Sequence, residues 1–422
     1  MEYSYVTRNL RRAITYSIIR KNSYLSNETL RKQAAQAASL QLSGNSLNNV
    51  FLNAIKKIII KKKPAYTVND PIAFMAMNLL NKNILKSYNI KQKNRNELVS
   101  IFISHIKESY PFNVHRFDIK SFYESVDRKL LIKRIRDDNI LSPKSVRLLE
   151  LFFHELDNKS IKGLPRGLAI SATLSELCMK DFDSGIISDS GILYYARFVD
   201  DIINFANSTM STNAMMNVLN KTKLPGNLEF HSKGDKKFHG NYPRAKSSFA
   251  NEQKIVEFGY LGYKFTIKSV KDSNDAFYHF QYRVVDIDLS DDKIEKIKNR
   301  IIKSFCRFMS GQANENFDIL LKRIKFLTGN YELEKIGYGK SVKSGIFYNY
   351  KFLNVDFGLK SLDSFYKHIL FGNTRLSQRL KSKLSYRQRI QLSSHSFTTG
   401  FKEVKFHRFS YADFENIKKA WL

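Results

Sequence analysis

A chain of 422 residues with 43% hydrophobic and 26% charged residues can fill two or three cores, which excludes a small stapled scaffold and a disordered chain alike. Seventy Lys and Arg against 39 Asp and Glu leave a net charge of +31, far beyond what solubility needs, so a polyanionic partner is expected. No apolar run nears the roughly 20 residues that cross a bilayer, the opening MEYSYVTRNLRR lacks a signal-like apolar stretch, and Cys178 and Cys306 alone make no disulfide framework or zinc site. Nucleic acid and an anionic membrane surface both satisfy that charge, though no run would span a bilayer, and a reducing, cytoplasmic setting is expected.

Along the chain, residues 1–66 are basic and polar and read as an N-terminal extension that touches a partner. They hold a helix-like stretch at 27–40 and a run at 56–63 in which isoleucines are bracketed by lysines; a solvated helix and loop accounts for the same residues. Two apolar-periodic stretches between 70 and 110 flank the polar segment NIKQKNR at 89–95, predicting helix, basic loop, helix. From 111 to 266 short β-rich runs ending in acidic residues alternate with helices. One of these helices starts at Ser142-Pro143, with Val146, Leu149 and Phe153 on one face. From about 285 the pattern is mostly helical, with Ser290 as a cap before the stripe Ile294, Ile297, Ile301, Ile302 and Phe305.

Two segments suggest chemistry. In FDIKSFY at 117–123 an apolar strand ends in Asp118, followed by a helix start near Asp127; a carboxylate at a strand end suits a metal, and an acid capping the next helix explains the same sequence. In YYARFVDDIINF at 194–205 two β-rich runs meet at Asp200 and Asp201, as in a tight hairpin, where turn chemistry also favours Asp. Together these carboxylates can converge on two divalent cations, the arrangement that serves phosphoryl transfer. Between them, KGLPRGLAISATLS at 162–175 is a glycine and proline loop entering a helix of small residues, able to approach a base and template strand closely. Lys233, Lys236 and Lys237 follow and could face a triphosphate or simply be a surface charge run, and FGYLGYKF at 258–265 suits a hairpin gripping a primer end or an ordinary core hairpin.

In order and spacing, Asp118 with Tyr123, GLPRG at 163–167, FVDD at 198–201, the lysine-bearing stretch and YLGY at 260–263 resemble the A to E motifs of reverse transcriptases. The resemblance covers roughly residues 67–268. RFDIKSFYES, LPRGLAISATLSEL and YYARFVDD are most similar to the bacterial defence-associated (antiphage, abortive-infection) reverse transcriptases. Two positions depart from the pattern: FVDD replaces the commoner Tyr-x-Asp-Asp, and Arg166 stands where many relatives have glutamine, adding a charge that bears on template handling.

The resemblance implies an α+β fold, with right-hand fingers and palm (antiparallel sheet with helices) at 67–268 and a mainly helical thumb-like domain at 269–422. It implies an RNA-directed DNA polymerase of antiviral defence that transfers dNTPs to a 3′-hydroxyl or a protein side-chain hydroxyl. Its partners would be an RNA template or noncoding RNA, nascent DNA, and a second copy or a partner defence protein. An untemplated terminal transferase, an RNA polymerase with the same palm and a catalytically silent RNA-binding scaffold are the alternatives. Carried over by position, Asp118, Asp200 and Asp201 are catalytic, and with the Ile119 carbonyl they hold Mg2+, for which Mn2+ could substitute. Tyr123 excludes a 2′-hydroxyl, while Arg166, Gly167 and Lys233 touch substrate. Lys91, Lys93 and Arg95 fall where fingers neutralise a triphosphate, or form a solvated loop.

Beyond 285 the motifs stop. Residues 372–408 carry nine basic residues, among them Arg375, Arg379, Arg387 and Arg389, against the single acid Glu403, an electrostatic footprint for a nucleic-acid backbone or else a solvated charged face.

Overall fold

The computed structural model describes every residue except 1, 61–62, 92–93, 109, 232–237, 243–255, 273–280, 313–314, 334–341 and 422. It divides into two compact units, residues 1–98 with 110–244, and residues 99–109 with 245–422. The chain is α+β.

The first unit opens with α1 (Thr7–Ala13), α2 (Tyr16–Lys21) and α3 (Glu28–Ser43). The predicted helix at 27–40 is α3, started by Asn27, whose side chain accepts from the N–H groups of Thr29 and Leu30. These helices are no loose extension: Leu10, Ala13, Ala35, Ala38 and Leu42 are fully or almost fully buried in a core shared with the rest of the unit. The lysine–isoleucine run is a hairpin, β1 (Ile55–Ile60) and β2 (Lys63–Val68), on which Ile58, Ile59 and Ile60 are exposed. Helix α4 (Pro71–Ser87) begins where Asp70 accepts from the Ala73 N–H at 2.7 Å. It is apolar on several sides because α1, α3, α8 (Pro143–Asn158) and α9 (Ala169–Ile187) all pack on it. Helix α5 (Arg95–Lys107) follows, so helix, basic segment, helix is the observed order, with Arg95 inside the second helix. Ser142 caps α8 as expected, accepting from the Ser145 N–H.

Four antiparallel strands form the sheet that carries the motifs: β3 (Phe112–Asp118), β4 (Ile192–Phe198), β5 (Asp201–Asn207) and β6 (Phe238–Tyr242), in spatial order β4-β5-β3-β6. After β3 come the short α6 (Phe122–Ser125) and then α7 (Arg128–Asp138), capped by Asp127. One face of the sheet, with Phe117, Tyr195 and Ile202, buries against Met179, Phe182 and Ile186 of α9 and Met215 and Leu219 of α10 (Thr212–Thr222). Strand alternation then turns the other face, with Arg116, Asp118 and Asp201, away from that core.

The second unit holds an antiparallel sheet of β7 (Val256–Tyr260), β8 (Tyr263–Asp272) and β9 (Gln281–Leu289). Strands β7 and β8 are the predicted aromatic hairpin: Tyr260 pairs with Tyr263 across a two-residue turn, and Phe102 of α5 stacks among Phe258, Tyr260 and Phe265 with ring centroids 5.0–5.8 Å apart. Helix α11 (Asp291–Met309) buries Ile297, Ile301 and Phe305 of the predicted stripe. Ser290 precedes it without a side-chain capping bond; its carbonyl accepts from Lys293 and Ile294 instead. Then come α12 (Phe317–Thr328), β10 (Asn330–Leu333), β11 (Val342–Gly345), α13 (Ile346–Asn349), α14 (Phe357–Phe371), α15 (Arg375–Lys383), α16 (Tyr386–Ser393), α17 (Phe397–Lys402), β12 (Phe406–His407) and α18 (Tyr411–Lys418). Inside this unit Arg323, fully buried, pairs with Glu315 at 2.6 Å; burial alone would push the Glu315 carboxyl up, but hydrogen bonds from Arg323 and Arg307 outweigh it and hold the group below its usual range.

The sequence boundaries at 66 and 268 differ from this division: residues 2–66 share the first unit's core, and the YLGY hairpin belongs to the second unit. Among the described residues no helix is long and apolar enough to cross a membrane.

Candidate active site

Register brings the three aspartates to one end of the four-stranded sheet. Strand β3 ends at Asp118, directly opposite Asp201, the first residue of β5, and Val199 and Asp200 alone form the β4–β5 turn. The Ile119 N–H donates to the Asp200 carbonyl at 3.0 Å, so a backbone bond ties the turn to the strand end. On the other side, the Lys120 N–H donates to the Glu229 carbonyl and the His231 N–H to the Asp118 carbonyl, a short ladder that does not use the Ile119 carbonyl.

The two paired aspartates differ in surroundings. Asp201 accepts two bonds from Arg116, at 2.8 Å from Nε and 2.9 Å from Nη2, a bidentate pair made on one strand face because Arg116 lies two residues before Asp118. Burial pushes the Asp201 carboxyl above its usual range; Arg116 pulls it down, and Asp118 and Asp200 add to the upward push. Asp118 is buried, with its carboxylate 3.3 Å from Nε2 of His231. Asp201, expected to complete the carboxylate cluster with Asp118 and Asp200, has both of its oxygens bonded by Arg116.

Val199 has φ of +62° and Asp200 does not share the positive region, the pattern of a type II′ turn whose first position normally takes glycine. A β-branched residue there stores on the order of 1–3 kcal/mol. Arg197 anchors this turn: its side chain is 1% exposed, and it bonds Glu176 and Asp183 of α9 and the Val199 carbonyl. Burial opposes the charge of Arg197, but Asp183 and Glu176 outweigh it and keep the guanidinium protonated.

The loop before α9 closes on α6. Gly163 and Gly167 have φ of +57° and +97°. A Cβ on Gly163 would collide with the Tyr123 carbonyl, and one on Gly167 would lie 2.7 Å from the Tyr66 carbonyl, so both positions require glycine. The Leu164 N–H donates to the Tyr123 carbonyl and the Tyr66 N–H to the Arg166 carbonyl, each at 2.7 Å, joining loop, α6 and β2. Tyr123 is half-buried, and burial pushes its hydroxyl up against a hydrogen bond with Ser175. Arg166 lies with its guanidinium 5.8 Å from the Tyr123 ring centre and makes a bidentate pair with Glu124 at 2.6 and 3.0 Å, so its charge is matched locally.

Lys233, with Lys236 and Lys237, lies outside the described residues, as does Lys93; Lys91 is exposed. Arg375 and Arg379 on α15 and Arg387 on α16 are exposed. Arg389 is half-buried over the rings of Phe371 and Tyr386, a more packed position than the sequence implied. Sequence reading missed Arg116, Arg197 and His231. Arg116 carried a signal, since a residue two before Asp118 shares its strand face.

Among the described residues no group of three or more His, Cys, Asp or Glu is arranged to hold a metal ion. The oxygen donors at the sheet end are nonetheless of the type a hard dication takes. Two carboxylates, Asp118 and Asp200, and the Ile119 carbonyl fit Mg2+, which commonly uses one or two carboxylates with water and phosphate oxygens completing its shell.

Comparison with curated proteins found no matching relative. The family model described as reverse transcriptase (RNA-dependent DNA polymerase) matches residues 48–265, over half of the chain, and takes in the four-stranded sheet, the Gly163–Gly167 loop and Asp118, Asp200 and Asp201. The chain belongs to the reverse transcriptase family, and its activity is that of an RNA-directed DNA polymerase.

Proposed function

We propose that this polymerase adds dNTPs to a 3′-hydroxyl, or to a protein side-chain hydroxyl, by two-metal nucleotidyl transfer, with Asp118, Asp200 and the Ile119 carbonyl holding the metal ions and Asp201, paired with Arg116, completing the carboxylate cluster. The observation that carries this reading is the meeting of Asp118, Asp201 and the Val199–Asp200 turn at one sheet end. Bound Mg2+, or Mn2+ in its place, would activate the attacking hydroxyl and stabilise the pyrophosphate leaving group. Asp118 and Asp200 would supply the anionic oxygens that hold those cations beside the reacting phosphate, and Arg116 offsets the charge of Asp201 and so lessens the repulsion among the three carboxylates.

In this reading the four-stranded sheet is the palm, residues 67–110 belong to the fingers, and the helices after 285 act as the thumb. Tyr123 lies under the incoming sugar. The tyrosine ring would occupy the space of a 2′-hydroxyl, so Tyr123→Ala is expected to lower the preference for dNTPs over rNTPs. Single-nucleotide incorporation with each substrate measures it, and an unchanged ratio would make the ring a packing residue. Arg166 and Gly167 line the same loop, and the pairing of Arg166 with Glu124 supports templated copying, because the added charge is compensated before it meets the nascent pair. The antiviral role, a noncoding RNA partner and a second copy or defence protein as partner rest on the similarity of RFDIKSFYES and YYARFVDD to the defence group. Phage plating on cells expressing the wild type or Asp200→Asn tests that role, and equal protection by both would refute a catalytic contribution.

Exposed Arg375, Arg379 and Arg387 are proposed to contact nucleic-acid phosphates. Replacing all three with glutamine is expected to flatten the salt dependence of RNA binding by about 0.7–0.9 in log–log slope for each phosphate that is no longer neutralised. Arg389, packed on two rings, should contribute less. Titration of RNA at several salt concentrations reads the slope, and identical slopes would assign these arginines to a solvated face.

A further inference from the structure

We infer that Arg197 is a positioning residue for the polymerase reaction, holding the Val199–Asp200 turn in its strained form through the Val199 carbonyl and fixing that turn to α9. The inference rests on the proposed role of Asp200.

A guanidinium has five N–H donors in a planar fork. Here all five are matched: Nε to Asp183 at 2.9 Å, Nη1 to Glu176 and to the Val199 carbonyl at 3.0 Å each, and Nη2 to Glu176 and to Asp183 at 2.7 Å each. Two carboxylates already suffice to anchor β4 on α9, and Tyr195, which donates to Asp183 at 2.5 Å, adds to that anchor. The bond to Val199 does something different. It seizes the carbonyl of the residue at positive φ, the peptide that leads directly into Asp200. Valine by itself would relax out of that region. The turn keeps its form because one side of it is bonded to Arg197 and the other, at the Asp200 carbonyl, to the Ile119 N–H. Arg197 touches no reacting atom, and its effect passes through the orientation of Asp200.

Lysine keeps the charge but presents its hydrogens from a single atom, so Arg197→Lys cannot span both carboxylates and the carbonyl. It is expected to lower kcat by about 100-fold, the scale of a 1 Å misplacement, with less change in the KM for dNTP and in primer–template affinity. Asparagine tolerates positive φ, so Val199→Asn should restore about tenfold of kcat in the Arg197→Lys background, and much less in the wild type.

Thermal unfolding supplies a reading independent of activity. Val199→Asn should raise the midpoint more in the wild type, where Arg197 enforces the strain, than in Arg197→Lys, where the turn is free to relax. Should Arg197→Lys fail to fold, the wild-type comparison carries the test alone: Val199→Asn should raise the midpoint by relieving the enforced strain while keeping kcat. A folded Arg197→Lys with wild-type kcat, a loss that Val199→Asn does not restore, or an unchanged midpoint for Val199→Asn in the wild type overturns the inference. Asp200→Asn run alongside separates the two readings. If Asp200→Asn is active, the proposed role of Asp200 fails; if it is inactive while Arg197→Lys matches the wild type, only the present inference fails.

Discussion

Asp200→Asn is expected to abolish nucleotide incorporation while leaving folding and nucleic-acid binding close to wild type. Asp200 sits in a two-residue turn, half-buried, and its backbone carbonyl accepts from the Ile119 N–H, a bond that asparagine preserves. What the substitution removes is a negative charge at the end of the sheet. Losing one ligand charge should weaken transition-state stabilisation by about 4 kcal/mol, roughly a thousandfold in rate. Asp118→Asn should behave alike, although its carboxylate also lies beside His231. The check is primer extension together with circular dichroism and a binding titration on the same preparations. Incorporation at the wild-type rate by either variant would sink the proposed two-metal role.

A second large effect is expected at a residue without any metal role. Arg116→Gln leaves Asp201 largely buried with neither of its two charge-assisted bonds, and removing one partner of such a pair costs about 3 kcal/mol. Both stability and incorporation should fall. The double variant Arg116→Gln with Asp201→Asn should recover part of the stability, since it also removes the stranded carboxylate. Chemical denaturation of the two single variants and the double variant forms the cycle that isolates the pair. If Arg116→Gln unfolds at the wild-type denaturant midpoint, the ion pair is not what holds Asp201 in place.

Much of the frame is local and hence legible in the sequence. Asp70-Pro71, Ser142-Pro143 and Asn27 start helices through bonds that reach only two or three residues, so the residues at the boundary are enough to predict them. Two β-rich runs read as meeting at Asp200–Asp201 form a hairpin whose turn lies one residue earlier, at Val199–Asp200, and the aromatic run around Leu261–Gly262 forms another, for the same reason. The run KKIIIKKK did not read as a strand, because it lacks the two-residue alternation of a half-buried strand and its isoleucines are in fact exposed. Its pairing comes from β2, not from burial of its own side chains.

Local patterning was enough to say which carboxylates would stand at strand ends and turns, and that a glycine loop would lie between them. It could not decide their charge states or partners, because those depend on register and on helices far along the chain. Arg116 meets Asp201 across 85 residues, and Arg166 meets Glu124 across 42. Arg197 reaches back 21 residues to Glu176 on a helix that only tertiary packing lays under β4. The same holds for residues 2–66, whose polar composition read as an extension. Their few apolar positions, among them Leu10, Ala35 and Leu42, matter because α4 offers them a surface to bury against, and burial of that kind is a property of the assembled core rather than of any one segment.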